Sequence, residues 1–224
     1  MRFWIALAAA TTAASVSAQP APRPKLIVAL SIDQFSADLF DEYRPVLLGG
    51  IGRLSQGTVY RNGYQGHNAT ETCPGHSTIM TGSRPSRTGI IANFWFDLSQ
   101  TRSDKGVYCA EDERVPGSSS TAYTVSPYHL RVPTLGELWK QGHPQARNVA
   151  VSGKDRAAVM MSGHVADQRW YWDGKTFVTD LKGAAVPQSV AAARTAVAND
   201  RRAADHQDVD DVFQGQRCQV VARG

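Results

Sequence analysis

The sequence contains two uninterrupted apolar runs and several segments with apolar residues at helical spacing. The runs cover Lys25–Ile32, which ends at the carboxylate of Asp33, and Asn148–Ser152. Both have strand length, and neither alternates apolar with polar residues, so each predicts a strand buried on both faces. A third, brief strand is predicted at Thr58–Tyr60.

Helix signals lie between these runs. Apolar residues at helical spacing predict a helix over Asp38–Leu48, in which Pro45 must mark a break or a restart. Thr134 and Glu137 have the spacing of a capping box and predict a helix start. Shorter helices are predicted at Ile51–Ser55, Thr78–Thr81 and Ala191–Ala198. Alternating strands and helices predict an α/β domain.

The amino terminus has the three-part layout of a secretion signal. A positive charge at Arg2 precedes an apolar run and a small-residue end, which predicts cleavage after Ala18. The alternative is an uncleaved short anchor. The apolar run is too short to span a bilayer, which takes about 20 residues, so we expect no membrane partner. Residues 19–24 then form a proline-rich leader, and the mature protein is expected to be periplasmic or secreted.

The charge and the cysteine content limit the classes of partner and of metal site that the chain can have. The net charge of +4 is modest, and its surplus is not concentrated in an inner basic patch, so no nucleic acid is expected. The three cysteines, Cys73, Cys109 and Cys218, permit one disulfide in an exported protein. Their pairing stays open. None lies in a C-x-x-C pair, which gives a zinc ribbon no support.

The segment around Thr72 carries the clearest chemistry. Thr72 stands two residues before Pro74-Gly75, a pattern suited to the first turn of a helix, where free N–H groups favour phosphate. A threonine in this position is more often only a helix cap. A catalytic role for Thr72 therefore needs support from other residues of the chain.

Four segments in order resemble the alkaline phosphatase superfamily, in its branch of phosphate-irrepressible enzymes that use threonine. They are residues 27–35, the Thr72 segment, residues 89–97 and residues 152–156. The resemblance runs from Lys25 to about residue 192. It implies a mostly parallel sheet covered by helices on both faces, incomplete in this chain, and residues 25–192 as the amino-terminal part of the catalytic domain.

The resemblance implies a two-zinc site that cleaves phosphate monoesters through a covalent phosphothreonine. Thr72 would attack phosphorus and ligate one Zn²⁺, and Asp33 would ligate the same ion. Asn93, Lys154 and Arg156 would hold the phosphoryl oxygens, and small phosphate esters would be the partners of an expected monomer. Each role suits its residue type, because metal coordination ionises a hydroxyl and phosphoryl oxygens need several donors.

The Lys154 and Arg156 pair separates two branches of the superfamily. The nucleotide pyrophosphatase and phosphodiesterase branch would share Asp33, Thr72 and Asn93, but a diester carries less charge. Two cations suit a dianionic monoester, so we expect monoesterase activity. In an extended loop the two side chains would point to the same side.

The chain lacks most of the metal ligands that the resemblance requires. Two zinc ions need roughly six protein ligands, and the family supplies most of them well after the position of Arg156. His76 and His164 are expected to be structural, and Asp205-His206 lacks a buried strand to place it. Residues 193–224 form an atypical tail, either disordered or read out of frame. A truncated, inactive fragment is therefore the alternative to an active enzyme.

Overall fold

The computed structural model describes residues 24–204, which fall into two compact units that divide after Ile32. The described part of the first unit, residues 24–32, contains no helix or strand. The strand predicted over Lys25–Ile32 is therefore wrong. A strand is held by backbone hydrogen bonds to a neighbour, and this segment has none among the described strands, so Leu26 and Val28 stay about three-quarters exposed.

The second unit begins with short helices that prepare the site. Helix α1 spans Ala37–Tyr43 and is capped by the Ser36 hydroxyl, which accepts from the Leu39 N–H at 3.2 Å. A single 3₁₀ turn, Arg44–Val46, follows at Pro45, which confirms the predicted break. Helix α2 spans Gly49–Leu54, helix α3 Thr72–Thr81 and helix α4 Pro85–Thr88.

The rest of the unit alternates strands with helices. Strands β1 and β2 span Phe94–Phe96 and Gly106–Tyr108, and helix α5 spans Leu135–Gly142. Strand β3 spans Val149–Ser152 and helix α6 Asp155–Ser162. Strands β4 and β5 span Gln168–Trp172 and Phe177–Val178, and helix α7 spans Gln188–Ala204.

Two small sheets hold these strands. Strands β1 and β2 pair antiparallel, with Trp95 opposite Val107. Strands β3 and β4 pair parallel, with Val151 opposite Trp170, and α6 connects them as the crossover that a parallel pair needs. Strand β5 adds antiparallel to β4. The predicted α/β class is confirmed, and β3–β4 is the parallel pair among the described strands.

The core lies where α3, β2 and α6 meet. Its fully buried apolar side chains are Cys73, Ile90, Cys109, Ala110, Val159 and Met160. Trp95 packs against this cluster from the inner face of β1. The amino-terminal ends of α3 and α6 are thus fixed to one rigid interior, which positions the residues that begin each helix.

Some local expectations need correction. Helix α3 starts at Thr72 rather than Thr78, because Pro74 lies in the first turn, where its missing N–H costs no helical hydrogen bond. No strand forms at Thr58–Tyr60. Strand β3 exists as predicted, but Val149 and Val151 are more than half exposed because β3 is paired on one edge only. Within the described residues, no helix is long and apolar enough to cross a membrane.

The capping box of α5 is confirmed and holds a buried carboxylate. Thr134 Oγ1 accepts from the Glu137 N–H, and Glu137 Oε2 accepts from the Thr134 N–H at 2.7 Å. Glu137 Oε1 also accepts from the backbone N–H groups of His164 and Val165. The Glu137 side chain leaves no room for a Cβ at Gly163, where φ is +70°.

We expect Glu137→Ala to lower the free energy of unfolding by about 3 kcal/mol, because three backbone N–H groups, including the buried one of Thr134, lose their acceptor. Urea unfolding followed by circular dichroism measures this. The matched control is Leu138→Ala, at the next position of α5, where the side chain is half exposed and little should change. Equal losses in the two variants would refute the role given to Glu137.

Candidate functional site

Thr72 opens helix α3 and meets Asp33 across 39 positions of sequence. Its hydroxyl donates to Asp33 Oδ2 at 3.1 Å. Glu71 is the N-cap residue, and Thr72 is half-buried at the start of the first turn. A hydroxyl that donates to a carboxylate gains nucleophilic character, and the helix amino terminus favours an anion in front of it.

A second group from the same helix lies near Asp33. His76 lies one turn after Thr72, and its Nε2 is 3.6 Å from Asp33 Oδ1. Its Nδ1 donates to the Thr72 carbonyl oxygen at 2.7 Å, because a carbonyl oxygen can only accept. Gln34, the next residue after Asp33, has φ of 61°, a left-handed conformation that is rare outside glycine. Asp33 thus stands on a strained turn directly beside the hydroxyl.

Asn93 is joined to the start of α3 with a defined orientation. Its Oδ1 accepts from the Cys73 N–H at 2.8 Å, and its own N–H donates to Glu71 Oε2 at 2.6 Å. Because the amide oxygen is engaged, the Nδ2 group is the end that remains to donate. An asparagine held in this way presents N–H donors next to Thr72, as binding of a phosphoryl oxygen requires.

A disulfide between Cys73 and Cys109 ties the start of α3 to the end of β2 and closes a separation of 36 positions. It answers the pairing that the sequence leaves open. The Cys109 N–H also donates to the Asn93 carbonyl at 3.0 Å. Thr72 and Asn93 therefore share one cross-linked support.

We expect reduction of this disulfide to lower the free energy of unfolding by about 2–4 kcal/mol, since a loop of this length restrains the unfolded chain. Urea unfolding with and without reductant measures it. A Cys218→Ser background removes the third thiol. The control is a Cys73→Ser/Cys109→Ser variant, whose unfolding should not respond to reductant. An unchanged midpoint in the parent chain would contradict this role.

Lys154 and Arg156 lie at the amino terminus of α6, which packs against α3. Lys154 is the N-cap residue and is exposed, whereas Arg156 is a helical residue. Lys154 has extended backbone, but the chain turns into α6 at Asp155, so the two residues do not share an extended loop. The Arg156 Nη1 donates to the Tyr108 hydroxyl at 3.4 Å, and Tyr108 directly precedes the disulfide cysteine Cys109.

Thr72 is thus joined to Asp33 by a direct hydrogen bond, and Asn93 is bonded to the neighbours of Thr72, Glu71 and Cys73. Arg156 is connected to them through Tyr108 of β2 and the disulfide. The described side chains do not complete a metal site. Among residues 24–204, no group of three or more His, Cys, Asp or Glu side chains is arranged to hold a metal. Asp33 and Thr72 offer two oxygen ligands, fewer than the four of a closed zinc site.

The sequence matches the family described as type I phosphodiesterase / nucleotide pyrophosphatase over residues 27–216. The chain belongs to this family. The curated relatives that it resembles include alkaline phosphatases. It is 62% identical over 174 residues to alkaline phosphatase PhoK of Sphingomonas sp., and 51% identical over 161 residues to alkaline phosphatase PhoD of Zymomonas mobilis. These matches confirm the resemblance to the alkaline phosphatase superfamily.

Only part of each relative is represented. The matches cover 77% and 71% of this chain, but 31% and 28% of the relatives. The fold also matches the crystal structure of wild-type alkaline phosphatase PafA with a TM-score of 0.69 and 29% identity, over 83% of this chain and 37% of that one. The chain thus spans about a third of the length of the phosphatases it matches.

Several residues of the site carry no clear mark in the sequence. Glu71 draws no prediction from the sequence, and His76 is expected to be structural. Asp155, the middle residue of the Lys-x-Arg segment, accepts from two distant tyrosines. His164 is expected to be structural, and its Nε2 contacts the Leu130 carbonyl at 2.7 Å. Asp205-His206 and Cys218 lie outside the described residues, as do the predicted signal and leader up to residue 23.

Proposed function

We propose that this chain contributes the nucleophile and the phosphate-binding residues of an alkaline phosphatase that hydrolyses phosphate monoesters through a covalent phosphothreonine at Thr72. The observation that carries the proposal is the hydrogen bond from Thr72 to Asp33 at the start of α3. Asn93 lies beside it through the Cys73 N–H. A hydroxyl, its carboxylate partner and an oriented amide donor are the groups that attack on phosphorus requires.

The spacing of four residues supports the assignment. A solved variant of alkaline phosphatase PafA, with a TM-score of 0.69 and 26% identity, was changed at a threonine, an asparagine, a lysine and an arginine together. In that protein these four lie 21, 62 and 2 positions apart in order. Here Thr72, Asn93, Lys154 and Arg156 lie 21, 61 and 2 positions apart. Four residue types at nearly unchanged spacing support a shared site.

Each side chain of the proposed site has a role that suits its charge. Thr72 Oγ1 forms the new bond to phosphorus as the bond to the leaving oxygen breaks, and the proton of the hydroxyl, which faces Asp33, ends on the leaving alcohol. Attack by water on the phosphothreonine then restores Thr72 and releases inorganic phosphate. The Asn93 amide and the cations of Lys154 and Arg156 bind the equatorial oxygens. A monoester dianion presents enough charge for both cations, which favours monoesters over diesters.

Zinc is the metal that we propose for this site, with two ions in the active protein. A bound ion would lower the pKa of the attacking hydroxyl and neutralise charge on the leaving oxygen. Asp33 and Thr72 would hold one ion. The described residues do not supply the further ligands, so the two-ion site needs groups from outside residues 24–204.

Two other functions compete with this proposal. A phosphodiesterase or nucleotide pyrophosphatase activity is favoured by the description of the matching family. An inactive fragment is favoured because no group of three or more His, Cys, Asp or Glu side chains among residues 24–204 is arranged to hold a metal. The secretion-like amino terminus and the disulfide support an exported protein in an oxidising compartment. We propose small phosphate esters as substrates of a monomer, without nucleic acid or membrane partners.

One experiment separates the three. The purified chain is loaded with ZnCl₂, its metal content is measured by mass spectrometry, and hydrolysis of p-nitrophenyl phosphate is compared with that of bis(p-nitrophenyl) phosphate. About two zinc ions per chain with faster monoester turnover support the proposal. Faster diester turnover supports the phosphodiesterase. Fewer than one ion per chain with no turnover of either ester supports the inactive fragment.

A further inference from the structure

The carboxylate of Asp155 is the nearest anion in sequence to Arg156, yet both of its oxygens are engaged elsewhere. The Tyr108 hydroxyl donates to Asp155 Oδ1 and the Tyr123 hydroxyl donates to Asp155 Oδ2, each at 2.8 Å. Oδ1 also accepts from the backbone N–H of Arg156 at 2.7 Å. The carboxylate is thus held by three donors, none of which is a guanidinium.

Arg156 is left without a strong partner of its own. Its Nε is buried and has no hydrogen-bond partner, and its Nη1 reaches only the Tyr108 hydroxyl, at the long distance of 3.4 Å. No carboxylate among the described residues forms an ion pair with it within 4 Å. The Tyr108 hydroxyl contacts both side chains, so the Asp155 carboxylate and the Arg156 guanidinium lie close together without the two-bonded ion pair that such groups can form.

Tyr108 and Tyr123 are themselves held in position to donate to Asp155. Their rings pack against each other with centroids 4.5 Å apart, and Tyr108 is buried in β2 next to the disulfide. Burial raises the pKa of both phenols, so they stay protonated and keep donating in alkaline solution.

We propose that Tyr108 and Tyr123 are positioning residues that keep Asp155 away from the Arg156 guanidinium and so reserve that guanidinium for the phosphoryl group. This inference rests on the proposed function, because it takes Arg156 as a phosphate ligand. It adds a cause for the unpaired arginine: the competing carboxylate is satisfied by phenol hydroxyls. Loss of both hydroxyls frees the Asp155 oxygens to pair with Arg156.

The test measures inorganic phosphate binding to the full chain by isothermal titration calorimetry. The double variant Tyr108→Phe/Tyr123→Phe should bind phosphate about tenfold or more weakly, the size of one lost charge-assisted hydrogen bond. Adding Asp155→Asn to this variant removes the competing charge and should restore binding to within about threefold of the parent. Tyr128→Phe, at an exposed tyrosine outside the network, is the control and should bind as the parent does.

A purely structural role for the tyrosines predicts a different result, because Asp155→Asn would then not rescue the double variant. Unrescued binding therefore overturns the inference. A crystal structure of the double variant decides independently of phosphate: an Asp155–Arg156 ion pair supports the inference, and its absence overturns it. If the parent chain itself binds no phosphate, the proposed function fails, while the crystal structure still decides the inference.

Discussion

Thr72→Ala is expected to abolish phosphoenzyme formation in the zinc-loaded chain and to lower monoester turnover by about a thousandfold or more, because alanine has no oxygen to attack phosphorus. Stopped-time assays with p-nitrophenyl phosphate measure the turnover, and mass spectrometry of acid-quenched protein measures the phosphoenzyme. Thr72→Ser keeps the hydroxyl and should retain a phosphoenzyme.

The matched control for this substitution is Thr70→Ala, which removes an exposed threonine just before α3. It should leave both measurements within about twofold of the parent, as surface substitutions ordinarily do. Retained turnover in Thr72→Ala, or an equal loss in Thr70→Ala, would sink the assignment of the nucleophile.

Arg156→Ala is expected to lower kcat/KM for a monoester by about a hundredfold and for a diester by less than about fivefold, since the guanidinium binds charge that a diester lacks. The two nitrophenyl esters measure both values on one preparation. The comparison between esters corrects for any loss of folded protein, because misfolding lowers both rates equally.

Arg147→Ala is the control for charge alone, because Arg147 is an exposed arginine that precedes β3 and is not part of the site. It should change neither ester by more than about twofold. Equal losses for monoester and diester in Arg156→Ala would favour the phosphodiesterase branch. They would also remove the reason for assigning Arg156 to a dianionic phosphate.

Local patterns in the sequence predict local structure well. The capping box of Thr134 and Glu137 and the break at Pro45 involve residues within one helical turn, and the structure contains both. The strand predicted over Lys25–Ile32 is wrong because a strand depends on residues that are distant in sequence. Apolar composition gives a segment strand propensity, but a strand exists only when another strand accepts its backbone hydrogen bonds.

In the candidate site, too, some residues could be predicted from the sequence and others could not. Thr72, Asp33, Asn93, Lys154 and Arg156 are predicted through the resemblance, which stands in for the missing three-dimensional information. The side chains that position these residues are not predicted from the sequence. Tyr108 reaches Asp155 across 47 positions and Tyr123 reaches it across 32, and no periodicity or motif links such distant residues. Contacts of this kind come only from the fold.

The central claim is that Thr72 carries the phosphoryl group. The most direct measurement is tandem mass spectrometry of tryptic peptides from zinc-loaded chain that was mixed with p-nitrophenyl phosphate and quenched in acid. The account predicts one phosphate on Thr72 in the peptide that covers residues 62–87, and none in Thr72→Ala. A phosphate on another residue, or no phosphopeptide from a chain that turns over the ester, would contradict it.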